Sequence, residues 1–414
     1  MNPKSSMELR VKPLGIIVFL ALFAIIGTAV YFFANNQGKD EVITEIAPDT
    51  GIEGAEVLFA SSKTKKDWLD EQAELFNQKY ADKKVKVVIE YGETRDSYQD
   101  IINGKKNVAL WAPSSTQWVG ALGSYWTKNR GGKLFDTAKS DEYTVYLKTP
   151  MVFITTKDKA TFLRSQLAMP GKSLDNLRDM STGKTKVPWG TFKYSYADPV
   201  NAGSGFAFLS TVVSDFSKKH PELGSSDAVV RSKPFLEYVK ELSTRYVYDE
   251  PAFKGSTDLF KSFVADPSKY DLVYTYESNA LKEALKNPNV AVVYPEPTAT
   301  TDMSIVCFTG AKWLTPAQIK AAKLFMDFLK QKPALEAGVK TSFRTASVVD
   351  GVSLNPELKK AATQGFQESF SGIELPSYEP VNESAAAWRT IARPNEGVRA
   401  LLRERAQVET AAGK

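Results

Sequence analysis

The chain holds one cysteine and one histidine among 414 residues. A lone Cys307 excludes an internal disulfide, and such a residue usually serves as a small apolar part of the core. His220 sits in a Lys-Lys-His-Pro stretch that reads as a solvated helix end. Zinc sites built from Cys and His are therefore excluded. Cys-His and Ser-His-Asp nucleophilic devices go with them, unless His220 were the base. Carboxylate-only or Ser-Lys chemistry survives this count, but no two carboxylates show a spacing that specifies acid–base work. Long basic runs are missing too: 53 basic residues stand against 48 acidic ones, and the net +5 is spread along the chain. Nucleic acid is not an expected partner. There is no internal repeat, no low-complexity tract, and no motif calling for a metal or cofactor.

What the chain does have begins at its N-terminus. Leu14 to Ala34 runs without a charge, and at 1.5 Å per residue it spans roughly 30 Å, the thickness of a bilayer core. Lys4, Arg10 and Lys12 precede it against Glu8 alone, so residues 1–13 are expected to stay cytoplasmic. Tyr31, Phe32 and Phe33 stand where an aromatic belt would meet the far interface. A cleaved signal peptide is the competing reading, but bulky Phe32 occupies the −3 position for cutting after Ala34. No cysteine follows for lipid attachment. The expectation is a single-pass membrane protein with an uncleaved anchor at 14–34, a polar linker at 35–52, and an extracytoplasmic main domain.

From residue 55 short β-rich runs alternate with amphipathic helices. Glu56 to Ala60, Val85 to Tyr91 and Val108 to Trp111 read as strands. Thr64 to Tyr80 has apolar residues at Trp68, Leu69, Ala73, Phe76 and Tyr80, a helical period, and helices follow near 97–103 and 116–126. Further on, Met151–Thr156, Leu272–Tyr276 and Val290–Tyr294 read as strands. Helices are expected near 173–180, 204–219, 231–246 and 256–265, and Thr315 to Leu329 starts with Pro316 in its first turn. The tail should be helical near 355–370 and 383–408. Strands alternating with helices argue for an α/β sheet with parallel βαβ units, and two lobes fit the length.

Four segments share one design, in which a strand ends, small polar residues follow and a helix begins. They are Ala60-Ser61-Ser62, Pro113-Ser114-Ser115-Thr116, Ala197 through Asp198, Pro199, Asn201, Gly203, Ser204 and Gly205, and Tyr274-Thr275-Tyr276-Glu277-Ser278. Such junctions expose backbone N–H groups at the positive end of a helix, which with nearby hydroxyls suits oxyanions in particular. Glycines there let the backbone approach a ligand. Plain N-capping by Ser, Thr or Asn is the simpler account of any one segment. In open α/β sheets, however, ligands sit beyond the carboxyl ends of the strands, where these loops converge.

Ile102-Asn103-Gly104-Lys105 with Val108 to Trp118, Tyr196-Ala197-Asp198-Pro199 through Gly205, Val273 to Ser278, and Phe325 to Arg344 resemble, in that order, four segments of bacterial extracellular solute-binding proteins. The resemblance is to the type 2 periplasmic-binding-protein fold, nearest the group also found with von Willebrand A-type domains. Such a domain is not evident here. Asn201 stands where that family often has Ser, and a Gly-Phe-Arg-Pro turn reads Ser342-Phe343-Arg344-Thr345. The resemblance implies a two-lobed type 2 fold over residues 53–350, behind an N-terminal transmembrane helix and before a helical extension at 351–414. Lobe one would take 53–150 and 275–345 and lobe two 150–275, with hinge strands near 147–155 and 270–277. The lobes would close on a ligand.

The candidate ligand contacts are Ser61, Ser62, Ser114, Ser115, Asn201, Ser204, Gly205, Tyr276, Glu277 and Arg344. Glu277 would disfavour an anion unless it caps a helix or binds Arg344, and Arg344 would either reach an anion or brace the hinge. Trp111 and Trp118 read as core residues before ligand-stacking ones, and Asp198 with Pro199 as an Asx-type turn. The function implied is capture of a small solute, an oxyanion or another polar ligand, for a transporter, without catalysis. A tethered module that recognises a partner protein or envelope polymer in a structural or sensory complex is the alternative.

Overall fold

Parallel β-rich runs and the helices that cover them account for the first third of the fold. The computed structural model describes residues 50–248, 252–346, 352 and 354–392. The expected anchor, most of the linker and the end of the expected tail helix lie outside the described residues. Among the described residues no helix is long and apolar enough to cross a membrane. In chain order come β1 (Glu56–Ser62), α1 (Lys66–Lys79), β2 (Lys86–Gly92), α2 (Thr94–Ile102), β3 (Leu110–Ala112) and α3 (Thr116–Arg130). α1 buries Trp68, Leu69, Ala73 and Phe76, the period expected of it, and the Trp68 indole N–H donates to Ala334 O at 2.8 Å.

The long strand β4 (Tyr143–Thr156) is followed by α4 (Lys157–Leu167), α5 (Ser173–Thr182), β5 (Tyr194–Ser195) and α6 (Gly203–Lys219). Next are α7 (Ser226–Arg231), α8 (Lys233–Leu242), α9 (Ser256–Ala265), β6 (Leu272–Tyr276), α10 (Glu277–Lys286) and β7 (Val290–Val293). The helix expected near 231–246 is α8 with a 3-10 turn at Ser243–Arg245 after it; the Ser232 side chain caps it and Pro234 lies in its first turn, while α7 in front of it was not expected. The chain then runs through β8 (Thr298–Cys307), α11 (Pro316–Lys330), α12 (Lys332–Lys340) and β9 (Arg344–Thr345). A capping box between Thr315 and Gln318, with Pro316 behind it, starts α11. The tail adds a 3-10 helix at Pro356–Gln364 in place of the expected α-helix, β10 (Gly372–Ile373) and α13 (Tyr378–Ala392).

The strands join in the order β2-β1-β3-β8-β4-β6-β5, with β7 and β9 also on β4 and β10 on β8. β1 pairs in parallel with β2 and β3, whereas β8 runs antiparallel to β3 and β4. β4 changes partners halfway. Its first half pairs with β8 and β9, and from Met151 onward it pairs with β6 and β7. The hand-over falls at Pro150, which faces Thr300; proline has no N–H to continue a ladder, so an interruption costs least there. One strand shared by two sheets makes the fold a two-lobed α/β structure with a mixed sheet. Phe59, Phe76 and Phe325 fill one core beside β1, Val152, Val273 and Leu281 another beside β6, and a third and larger cluster lies along α3, α6 and α13.

Candidate functional site

Each of the four small-residue junctions lies at the carboxyl end of a strand, as its sequence pattern requires. None is capped by its own side chain: Ser62, Ser115, Ala202 and Tyr276 are the N-cap residues, and no side-chain cap bond forms at any of them. Hydroxyls from other elements reach in instead. Ser114 N donates to Thr94 Oγ1 at 2.9 Å, Ser204 N to Ser256 Oγ at 3.0 Å, and Ser278 N to Thr149 Oγ1 at 3.2 Å. Three backbone amides at helix starts are thus tied to α2, α9 and the β4 hand-over. Simple capping does not describe them.

The junctions meet at Gly203. A Cβ built there would lie 2.5 Å from the Tyr276 hydroxyl and 2.6 Å from Ser114 Cβ, so only glycine lets the three segments touch. Ser114 ends the β3 segment, Tyr276 ends β6, and Gly203 opens α6, so loops carried by the two sheets face one another. The Tyr276 hydroxyl is held by Ser256 and Thr64, and burial pushes its pKa well above the usual tyrosine value. It is a neutral donor at neutral pH.

The remaining candidates divide by what their side chains touch. Ser61, Ser62, Ser115 and Ser204 are buried with Ser114 and Tyr276. The Ser61 hydroxyl donates to Ser62 O at 3.2 Å, and Ser115 Oγ is 3.4 Å from Gln117 Oε1. Asn201 Nδ2 donates to Asp198 Oδ2 at 2.8 Å, while Asp198 Oδ1 accepts from Val200 N at 2.9 Å, the Asx-type turn. Gly205 packs α6 against its own loop, since a Cβ there would sit 2.0 Å from Ala197 O. Glu277 and Arg344 take each other. Arg344 Nε and Nη2 donate to the two Glu277 carboxylate oxygens at 2.9 and 2.6 Å, and the Tyr294 hydroxyl donates to Glu277 as well. Arg344 spends further donors on the carbonyls of Glu368 and Gln367, so this pair braces β6 and α10 against β9. Trp111 donates to Ser97 Oγ at 2.9 Å and is fully buried. Trp118 packs among Tyr98, Phe206 and Tyr378, with ring centroids 5.5, 5.3 and 4.6 Å away.

Lys65 escaped the sequence reading and stands out in the structure. Its side chain is fully buried, and its ammonium donates to Ser62 Oγ at 2.7 Å and Pro113 O at 2.8 Å, between two of the serine loops. Burial lowers its pKa to about 7. One signal was available: Lys65 precedes Trp68 and Leu69 by three and four residues, which puts it on the buried stripe of the helical turn. Thr94, Thr149 and Ser256 were missed as well, because their role depends on contacts between distant segments. On the rim, Lys63 lies 3.6 Å from Glu93, whose carboxyl is raised by burial. Among the described residues no three His, Cys, Asp or Glu side chains are grouped to hold a metal ion.

The family profile of bacterial extracellular solute-binding proteins matches residues 57–344. No curated protein sequence matches the chain. Among solved structures, the fold is similar to iron-bound HitA from Pseudomonas aeruginosa, with a TM-score of 0.53 at 12% identity over 82% of this chain and 99% of that one. It is also similar to the sulfate-binding protein SubI from Mycobacterium tuberculosis H37Rv, with a TM-score of 0.51 at 15% identity over 77% and 94%. AfuA from Actinobacillus pleuropneumoniae, a periplasmic binding protein solved with fructose-6-phosphate, scores 0.52 at 14% identity over 82% and 97%.

Proposed function

The chain belongs to the bacterial extracellular solute-binding proteins, and on that premise we propose that it captures a small polar solute between its lobes and delivers it to a membrane transporter. The observation that carries this reading is the meeting of Ser114, Gly203 and Tyr276 from loops on the two sheets. Hydroxyls and amides buried where two lobes close supply directional binding without catalysis. Ser61, Ser62, Ser114, Ser115, Asn201, Ser204, Gly205 and Tyr276 form the proposed binding surface, with Glu277 and Arg344 bracing it from behind. Strand pairing supports placing the second crossover near Thr300, opposite Pro150, because β6 and β7 both pair with the second half of β4. On that pairing the proposed lobe one takes residues 53–150 and about 300–345. The apolar stretch at 14–34 holds the domain at the outer membrane face, which suits one dedicated transporter.

The full-length protein in detergent should melt at a higher temperature with at least one member of a panel of inorganic anions, sugars, amino acids and metal chelates. Gly203→Leu, which wedges the loops apart, should abolish that shift. Flat melting curves across the panel would refute the reading. A rigid envelope module is favoured by one observation: Tyr378 of α13 is wedged among Tyr98 and Trp118 of α2 and α3 and Phe206 of α6. Such a wedge resists lobe opening.

A further inference from the structure

We infer that Lys65 supplies the positive charge for the solute, and that the solute is a small anion. The inference deepens the solute-capture reading and rests on it, since the site is the same cleft. The Lys65 ammonium has three donors. Two reach the neutral oxygens of Ser62 and Pro113, and the third meets, among the described residues, only the thioether of Met303 at 4.0 Å, too weak a partner for a cation. Burying an unpaired charge is costly, and proteins retain one where a partner will arrive or where function needs it.

Among the described residues the surroundings offer no countercharge. Lys63, on the same turn, faces Glu93, and Glu93 has Asp258 and Asp96 as its other charged neighbours. Asp302 adjoins Met303 on β8, but strand alternation turns it to the other face, where Lys148 is its cross-strand partner. Tyr276 is neutral, and burial alone perturbs Lys65. Beyond Ser115, on the Pro113 side of the ammonium, begins the long helix α3, whose N-terminus favours negative charge. A further hydroxyl, Ser278 Oγ, is buried at the β6 junction without a hydrogen-bond partner. Charge, helix end and open donors together describe a receptor for an anion.

The same geometry couples capture to a proton. With its pKa near 7, Lys65 is charged below that pH and largely neutral above it. A bound anion favours the charged form and raises the pKa. Anion affinity is then flat below pH 7 and falls above it, by up to about tenfold per pH unit, as the incoming ligand must bring a proton.

The test uses the full-length protein in detergent, titrated calorimetrically with sulfate, molybdate, inorganic phosphate and citrate, with glucose as the neutral control. At least one anion should bind. Sulfate and molybdate keep their charge over the range tested, so either, if bound, should weaken about fivefold between pH 7 and pH 8 and about tenfold between pH 8 and pH 9. Lys65→Met should lose about a hundredfold in anion affinity while the free protein melts no lower, because an apolar chain replaces a buried ammonium. Lys65→Arg should bind and lose the pH dependence. Anion binding that survives Lys65→Met overturns the inference. So does stabilisation by glucose with all four anions inert, which leaves the capture reading standing; inert anions and inert glucose overturn the inference too, and the wider panel then decides the capture reading.

Discussion

Replacing Glu277 with Ala removes the carboxylate from the most buried ion pair of the described residues. Glu277 is fully buried and the Arg344 side chain is 8% exposed, with their closest contact at 2.6 Å. Three hydrogen bonds to the carboxylate disappear, two from Arg344 and one from Tyr294. The guanidinium keeps two carbonyl partners, Glu368 O at 2.6 Å and Gln367 O at 2.5 Å, and stays over the ring of Phe370 at 5.0 Å. Breaking a buried pair from one side costs about 3–5 kcal/mol, and the surviving contacts place Glu277→Ala near the lower end. With unfolding entropy of about 2 cal/mol/K per residue over roughly 340 folded residues, that is a fall in Tm of about 4 °C. Urea unfolding followed by tryptophan fluorescence measures the free energy directly. Glu277→Leu combined with Arg344→Met should recover most of the loss, because two apolar chains leave no buried charge. A single-variant loss below about 1 kcal/mol would refute the argument that this pair braces the two sheets.

Three other substitutions or reagents test separate parts of the structure. Gly205→Ala drives a methyl group into the backbone of Ala197 and Asp198, so it should cost about 1–3 kcal/mol or more in urea unfolding. Cys307 is buried and its thiol is pushed up to about 12; a thiol reagent at pH 8 should label it only at the rate of unfolding, and fast labelling of native protein would contradict its placement. Tyr378→Ala removes the ring wedged between α3 and α6. It should lower stability by about 3–5 kcal/mol and, if the wedge restrains the lobes, enlarge the radius of gyration seen by small-angle scattering.

The parts of the fold legible in the sequence were those with a strong local period or punctuation. Trp68, Leu69, Ala73 and Phe76 mark the buried face of α1 without help from elsewhere, and Thr315, Pro316 and Gln318 announce the start of α11. The strand that joins β3 to β4 was not legible. β8 reads Thr-Ala-Thr-Thr-Asp-Met-Ser-Ile-Val-Cys, with polar residues at Thr298, Thr301 and Ser304 that are nonetheless buried. Its burial comes from lying between β3 and β4, a long-range fact with no local trace. For the same reason β4 was expected only from about Leu147, although the strand starts at Tyr143. The serine and glycine junctions were visible because helix starts and close approaches need small residues. Their partners Thr94, Thr149 and Ser256, and the charge of Lys65 behind them, become visible only once distant segments are brought together. Glu277 and Arg344 were visible as polar residues near the hinge, but nothing local decided between a ligand and each other.

Hydrogen exchange of the full-length protein, with and without a solute that raises its melting temperature, tests the two-lobed capture site most directly. The account predicts joint protection of the amides at 114–118, 203–207 and 276–279, the segments that meet at Gly203, with little change at the β2 edge. Protection confined to one sheet, or found only far from these three segments, would contradict it.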